Sequence, residues 1–93
     1  MEHSKENSLS FYFGIFADKK RLEIFCIVCE EKIACVSEVA KKVNASIATT
    51  SHHLRVLEDA GLVSSERDGK NNYYSFLKSE FSKDFKYLVD KYM

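Results

Sequence analysis

Ser46-Ile47-Ala48-Thr49-Thr50-Ser51-His52-His53-Leu54-Arg55-Val56-Leu57-Glu58-Asp59-Ala60-Gly61-Leu62-Val63 is the stretch that decides the fold of this 93-residue chain. It reads as one helix, because Ser is a favoured N-cap and Gly a favoured residue just past a C-terminus. By helical spacing Ile47, Leu54, Leu57 and Ala60 share one side. The other side carries Thr49, Ser51, His52 and Arg55, with no acid before Glu58. A short helix that hides one side and offers small hydrogen-bonding groups plus a cation on the other suits a groove. The DNA major groove is wide enough to admit it.

The flanking sequence supplies a setting for that helix. Upstream, Ser37 is expected to cap a short helix, with Glu38 in the first turn where the helix dipole favours an acid. Val39, Ala40 and Val43 point inward, and Asn44 suits the left-handed conformation that ends a helix. Two helices joined by about three residues form a helix-turn-helix over roughly 37–60. Farther upstream, a first helix runs from about Ser8 to Ala17, and residues 1–7 read as a flexible tail. Asp18 caps a second helix from Lys19 to about Glu31, whose buried face holds Leu22, Phe25, Cys26 and Cys29.

After Gly61 the apolar period changes from 3.6 to 2. Residues 62–77 read as a hairpin, with Asp68-Gly69-Lys70-Asn71 as the turn and Asp-Gly as its signal. A last helix follows over about 79–92, striped with Phe81, Phe85, Leu88, Val89 and Tyr92. The predicted fold is mainly α with a small β-hairpin: a single winged helix-turn-helix domain over residues 8–93, ordered α-α-α-α-β-β-α. Seven Phe and five Tyr are many for one small core. The surplus predicts a homodimer through the first and last helices, using Leu9, Phe13 and Phe16 with the stripe of the last helix.

Fourteen basic and fourteen acidic residues cancel, so net charge gives nucleic-acid binding no support and local placement must carry it. No apolar run reaches the length of a membrane span, and the polar N-terminus lacks a signal-peptide core. Three cysteines, an odd number, fit a reducing compartment better than a disulfide framework, so a cytoplasmic location is expected.

The DNA-contacting candidates are Thr49, Ser51, His52 and Arg55 on one helix face, with Arg67 and Lys70 at the hairpin tip and Lys41 and Lys42 on the preceding helix. Arg55 suits a phosphate or guanine, and His52 and Ser51 a phosphate or base edge. The competing readings are a solvated helix face and a charged hairpin tip that blunts aggregation. His52 and His53 point about 100° apart and cannot chelate one ion together. No Gly-rich phosphate loop or nucleophile motif is present, so no enzyme and no cofactor are expected. Cys26 and Cys29, spaced i, i+3, are simplest as small core residues; with Cys35 they are also the candidates for thiol sensing.

Three segments carry a resemblance to a known family. Ala17-Asp18-Lys19-Lys20-Arg21-Leu22-Glu23-Ile24 resembles the Ala-Asp-Pro-Thr-Arg-Leu-x-Ile opening of the ArsR/SmtB repressors. Ser51-His52-His53-Leu54-Arg55-Val56-Leu57 with Ala60-Gly61-Leu62-Val63 resembles their recognition helix and its exit. Arg67-Asp68-Gly69-Lys70 and Tyr73-Tyr74 resemble their wing. The resemblance covers residues 9–77 and implies a homodimeric repressor on double-stranded DNA, released by an inducer. The chain also departs from the pattern. Lys19 replaces the motif's proline, and Ile47-Ala48 stand where the family often has Gln-Ser. The Cys-Val-Cys of its metal sensors is here Cys35-Val36-Ser37, and residues 78–93 hold no His, so no metal site is expected. The alternatives to a DNA-binding repressor are a winged helix that binds protein only, and a thiol-redox repressor using Cys26 and Cys29.

Overall fold

Asp18 divides the first two helices. Its backbone is extended and its carboxylate accepts from the Arg21 amide at 3.0 Å, so a new helix starts where the previous one stops. The computed structural model describes residues 4–92, in the order α1 (Ser4–Ala17), α2 (Lys19–Glu30), β1 (Ala34–Cys35), α3 (Val36–Val43), α4 (Ile47–Asp59), β2 (Val63–Asp68), β3 (Asn71–Phe76) and α5 (Glu80–Tyr92). This is the mainly helical winged helix-turn-helix that the sequence predicts, with one added strand. α1 begins at Ser4, earlier than the expected Ser8, and residues 1–3 of the expected tail lie outside the described residues.

The added strand, β1, is only two residues long, too short to show a period in sequence. Ala34 and Cys35 pair antiparallel with Tyr74 and Tyr73, giving a sheet ordered β1-β3-β2. The pairing also moves a cap. Backbone held extended through Cys35 passes straight into α3, so Cys35 and not Ser37 is the N-cap, with no side-chain cap bond. Asn44 ends α3 at φ 57, and Ser46 caps α4 by accepting from the Thr49 amide at 3.0 Å. These two caps bend the chain between the paired helices.

The wing register places Asp68 opposite Asn71, which leaves Gly69-Lys70 as the two-residue turn. This is the turn over Asp68-Gly69-Lys70-Asn71 that the sequence predicts. Gly69, at φ 64, takes the positive dihedral that such a turn needs at its first position.

The core lies under α2. Ile24, Phe25 and Val28 are fully buried against Val39, Leu54, Leu57, Leu62 and Val63. Tyr74 closes it from the sheet and Phe85 from α5. Lys20 donates to the Val43 carbonyl, satisfying one of the acceptors left open at the end of α3.

Candidate nucleic-acid interface

α4 lies on the core along Thr50, His53, Leu54 and Leu57, all buried. Its outward side carries His52 and Arg55, exposed, with Ser51 half-buried at one margin and Thr49 exposed at the other. Ile47 is a correction to the sequence reading. It lies within about 20° of Leu54 around the helix, yet it is 58% exposed. Ser46, Ile47, Ala48 and Thr49 are all exposed, so the first turn stands clear of the core on every side. Position along the axis, not angular phase, decides its burial.

In that turn the hydroxyls serve each other. Ser46 Oγ donates to Thr49 Oγ1 at 3.0 Å while accepting from the Thr49 amide. Thr50, which takes the inward place, buries a hydroxyl with no partner in the structure. His53 is buried behind the face. Arg21 Nε donates to its Nδ1 at 3.2 Å, and Arg21 Nη1 donates to the Ile15 carbonyl at 3.2 Å, so one guanidinium ties the end of α1, α2 and α4 together. A guanidinium only donates, so Nδ1 must be bare and His53 neutral with its proton on Nε2. Burial lowers the His53 pKa; the nearby Arg21, His52 and Lys20 add to this and Asp18 opposes it. Arg21 was missed as a positioning residue because a lone arginine sixteen residues before Ser37 carries no periodic signal.

The other candidates stand apart from the helix face. Arg67 and Lys70 are exposed at the wing tip, and Arg67 Nε donates to the Gly69 carbonyl at 3.2 Å. Glu66 and Asp68 are exposed on the same strand. On α3, Lys41 and Lys42 are exposed, but Lys42 pairs with Glu31 at 2.8 Å, which raises its pKa and draws its head towards the end of α2. The wing is braced to the recognition helix by Ser65 Oγ, which donates to Glu58 at 2.6 Å.

The aromatic stripes divide into two groups. Phe85 is only 8% exposed, and its ring lies 4.8 Å from that of Phe16, so both contribute to the chain's own core. Phe81 stacks on Tyr12 at 4.5 Å. Leu9, Phe13, Leu88 and Tyr92 remain exposed and Val89 half-buried. Phe13, Phe16, Phe85, Leu88, Val89 and Tyr92, with Leu22 of α2, line an apolar groove of ≈ 280 Å³ between α1 and α5.

The thiols differ in environment. Burial pushes the Cys29 thiol up to about 12. Burial first, then the charges of Glu30 and Asp90, raises Cys26. Both are therefore held as neutral thiols and poor nucleophiles near neutral pH. Cys35, whose Sγ lies 3.4 Å from Ser37 Oγ, is lowered by that hydrogen bond. Among the described residues no three His, Cys, Asp or Glu side chains are grouped to hold a metal ion.

A helix pair with its second member exposed, braced by a short three-stranded wing and followed by a terminal helix against the first, defines a winged helix-turn-helix protein. The chain belongs to the arsR family of bacterial regulatory proteins, whose profile matches residues 18–65. It is 44% identical over 72 residues to the cadmium resistance transcriptional regulatory protein CadC of Listeria innocua, an alignment covering 77% of this chain and 60% of that protein. It is 32% identical over 83 residues to the arsenical resistance operon repressor of Bacillus subtilis, covering 86% and 79%. The chain thus spans about 60% of the length of its CadC relatives. Among solved structures, NolR of Sinorhizobium fredii superposes with a TM-score of 0.80 at 30% identity, covering 98% of this chain and 90% of that one. HlyU of Vibrio cholerae superposes with a TM-score of 0.83 at 23% identity.

Proposed function

We propose that this chain is a sequence-specific, double-stranded-DNA-binding transcriptional repressor that acts as a homodimer in the cytoplasm. The observation that carries the reading is the outward face of α4. His52 and Arg55 are exposed, no acid precedes Glu58, and the helix N-terminus projects beyond its own core. In helix-turn-helix proteins the N-terminal part of the second helix contacts base edges. Arg67, Lys70 and Lys41 add cations suited to the phosphates that flank a groove, which position rather than specify. The matched relatives are transcriptional regulators and operon repressors by name, which supports a regulatory and non-enzymatic role. The open groove between α1 and α5 supports self-association, which would set two α4 helices against half-sites about one helical turn apart.

The test is fluorescence anisotropy on the DNA upstream of the chain's own gene, with native mass spectrometry for the dimer. Affinity should fall steeply with salt, with a log–log slope of about −0.9 per phosphate neutralised. Arg55→Ala and His52→Ala should weaken binding while leaving the melting temperature unchanged. Unchanged affinity in both would show that this face is not the DNA surface. A chain that stays folded and dimeric yet binds no DNA would favour a protein-binding winged helix.

A further inference from the structure

The first turn of α4 is unusual for the start of a soluble helix. Ile47 is 58% exposed, and no residue from Ser46 to Thr49 is even half-buried. Ser46 Oγ donates to Thr49 Oγ1 at 3.0 Å and accepts from the Thr49 amide, so the Ser46 hydroxyl is engaged within the turn while the Thr49 hydroxyl keeps its own proton to donate. Ala48 offers only a methyl group, and no acidic or basic residue lies in the turn. What the turn presents is therefore mainly aliphatic: the Ile47 side chain and the Ala48 and Thr49 methyl groups, beside the one Thr49 hydroxyl. Five and eight residues farther on, about 140° and 80° around the axis, the same helix presents His52 and Arg55.

Self-association does not account for this patch. Tyr12 of α1 donates its hydroxyl to the Ala60 carbonyl, at the far end of α4. The α1–α5 groove is thus at the C-terminal end of the helix, and Ile47 is about 20 Å away along its axis. In the major groove, one base edge is matched to an aliphatic group: the thymine C5 methyl, which the other three bases lack.

We propose that Ile47 is a specificity-determining residue that packs on a thymine methyl in the major groove of each half-site. This rests on the DNA-binding reading above and adds to it the chemistry of one base. The first turn then reads thymine by apolar contact, and His52 and Arg55 supply the hydrogen bonds five and eight residues later.

The experiment starts from duplexes selected by the wild-type protein from a random library. Each thymine is replaced in turn by deoxyuridine, which removes the C5 methyl and keeps every hydrogen-bonding group. At one thymine per half-site the replacement should weaken wild-type binding about 3- to 10-fold, the range expected for one lost methyl contact to one strong apolar contact. Ile47→Ala should bind the thymine and uracil duplexes equally, near the affinity of wild type for uracil. Its melting temperature should match wild type, because the side chain covers no core. Selected duplexes that bind equally well with uracil at every position would overturn the assignment and leave the DNA-binding reading intact. So would an unchanged thymine-to-uracil ratio in Ile47→Ala. Failure to select any duplex would overturn both.

Discussion

Arg21→Met removes a guanidinium and keeps an apolar stem of similar length. The arginine makes two hydrogen bonds that no other residue can supply, to His53 Nδ1 and to the Ile15 carbonyl, each 3.2 Å. Net contributions of about 1 kcal/mol each give a loss of about 2 kcal/mol, and the buried His53 acceptor left without a donor pushes the value upward. For a domain of this size the melting temperature should drop by about 10 °C. The measurement is thermal denaturation by circular dichroism at one fixed protein concentration, since dimer stability depends on concentration. A drop of under about 3 °C would refute the idea that this guanidinium ties three helices together.

The same pair makes a pH prediction. His53 is folded as the neutral imidazole and its pKa lies below 6.5. As pH falls, the unfolded chain takes up the proton first, so stability is full above pH 6.5 and declines below it. Asp18, the carboxylate beside His53, does not mask this window, because the Arg21 amide it caps shifts it below 3.8. Between pH 7 and pH 5 the melting temperature of the wild type should fall. His53→Asn should remove most of the slope, and Arg21→Met should reduce it, since one of the cations that oppose the proton is gone. Equal slopes in all three proteins would place the titrating group elsewhere.

Other outcomes follow from single sites. Thr50→Val replaces a buried hydroxyl that has no partner with a methyl of the same shape, so the melting temperature should hold or rise. Gly61→Ala meets no neighbouring atom but forces a side chain onto a φ of 78, and should cost about 1 kcal/mol in a denaturant titration. In timed alkylation at pH 8 read by mass spectrometry, Cys35 should react first and Cys29 last. Reaction of Cys29 ahead of Cys35 would contradict their opposite shifts.

Caps and periods made most of the fold legible in sequence. Asp18, Asn44, Ser46 and Gly61 act through local backbone chemistry, and each does in the structure what its residue type suggests. What stayed hidden depends on partners distant in the chain. β1 exists because β3 offers it an edge, and that edge displaced the α3 cap from Ser37 to Cys35. Phe85 reads as interface in an isolated stripe; in the structure it packs on Phe16 and Tyr12 and also lines the groove between α1 and α5. The outward candidates Thr49, His52 and Arg55 were legible because an amphipathic helix announces its exposed side. Arg21 was not, since its role is a hydrogen bond across thirty-two residues.

Ile47 shows why helical phase alone misjudges this kind of protein. A seven-residue step back from Leu54 returns to nearly the same side of the helix, so a hydrophobic pattern assigns both residues inward. Phase, however, describes only the direction a side chain takes, and burial also needs something beneath it. α3 ends at Val43 and the chain turns at Asn44, and every residue of the first turn of α4, from Ser46 to Thr49, is exposed. A helix that must enter a groove has to overhang its own domain, because its scaffold cannot follow it in. The overhang removes its first turn from the rule that apolar residues face the core. Apolar side chains there become available to a partner at little cost to the fold, whereas at Leu54 the same kind of side chain is committed to the core. Within one helix, the residues that read and the residues that anchor are thus separated along the axis as well as around it.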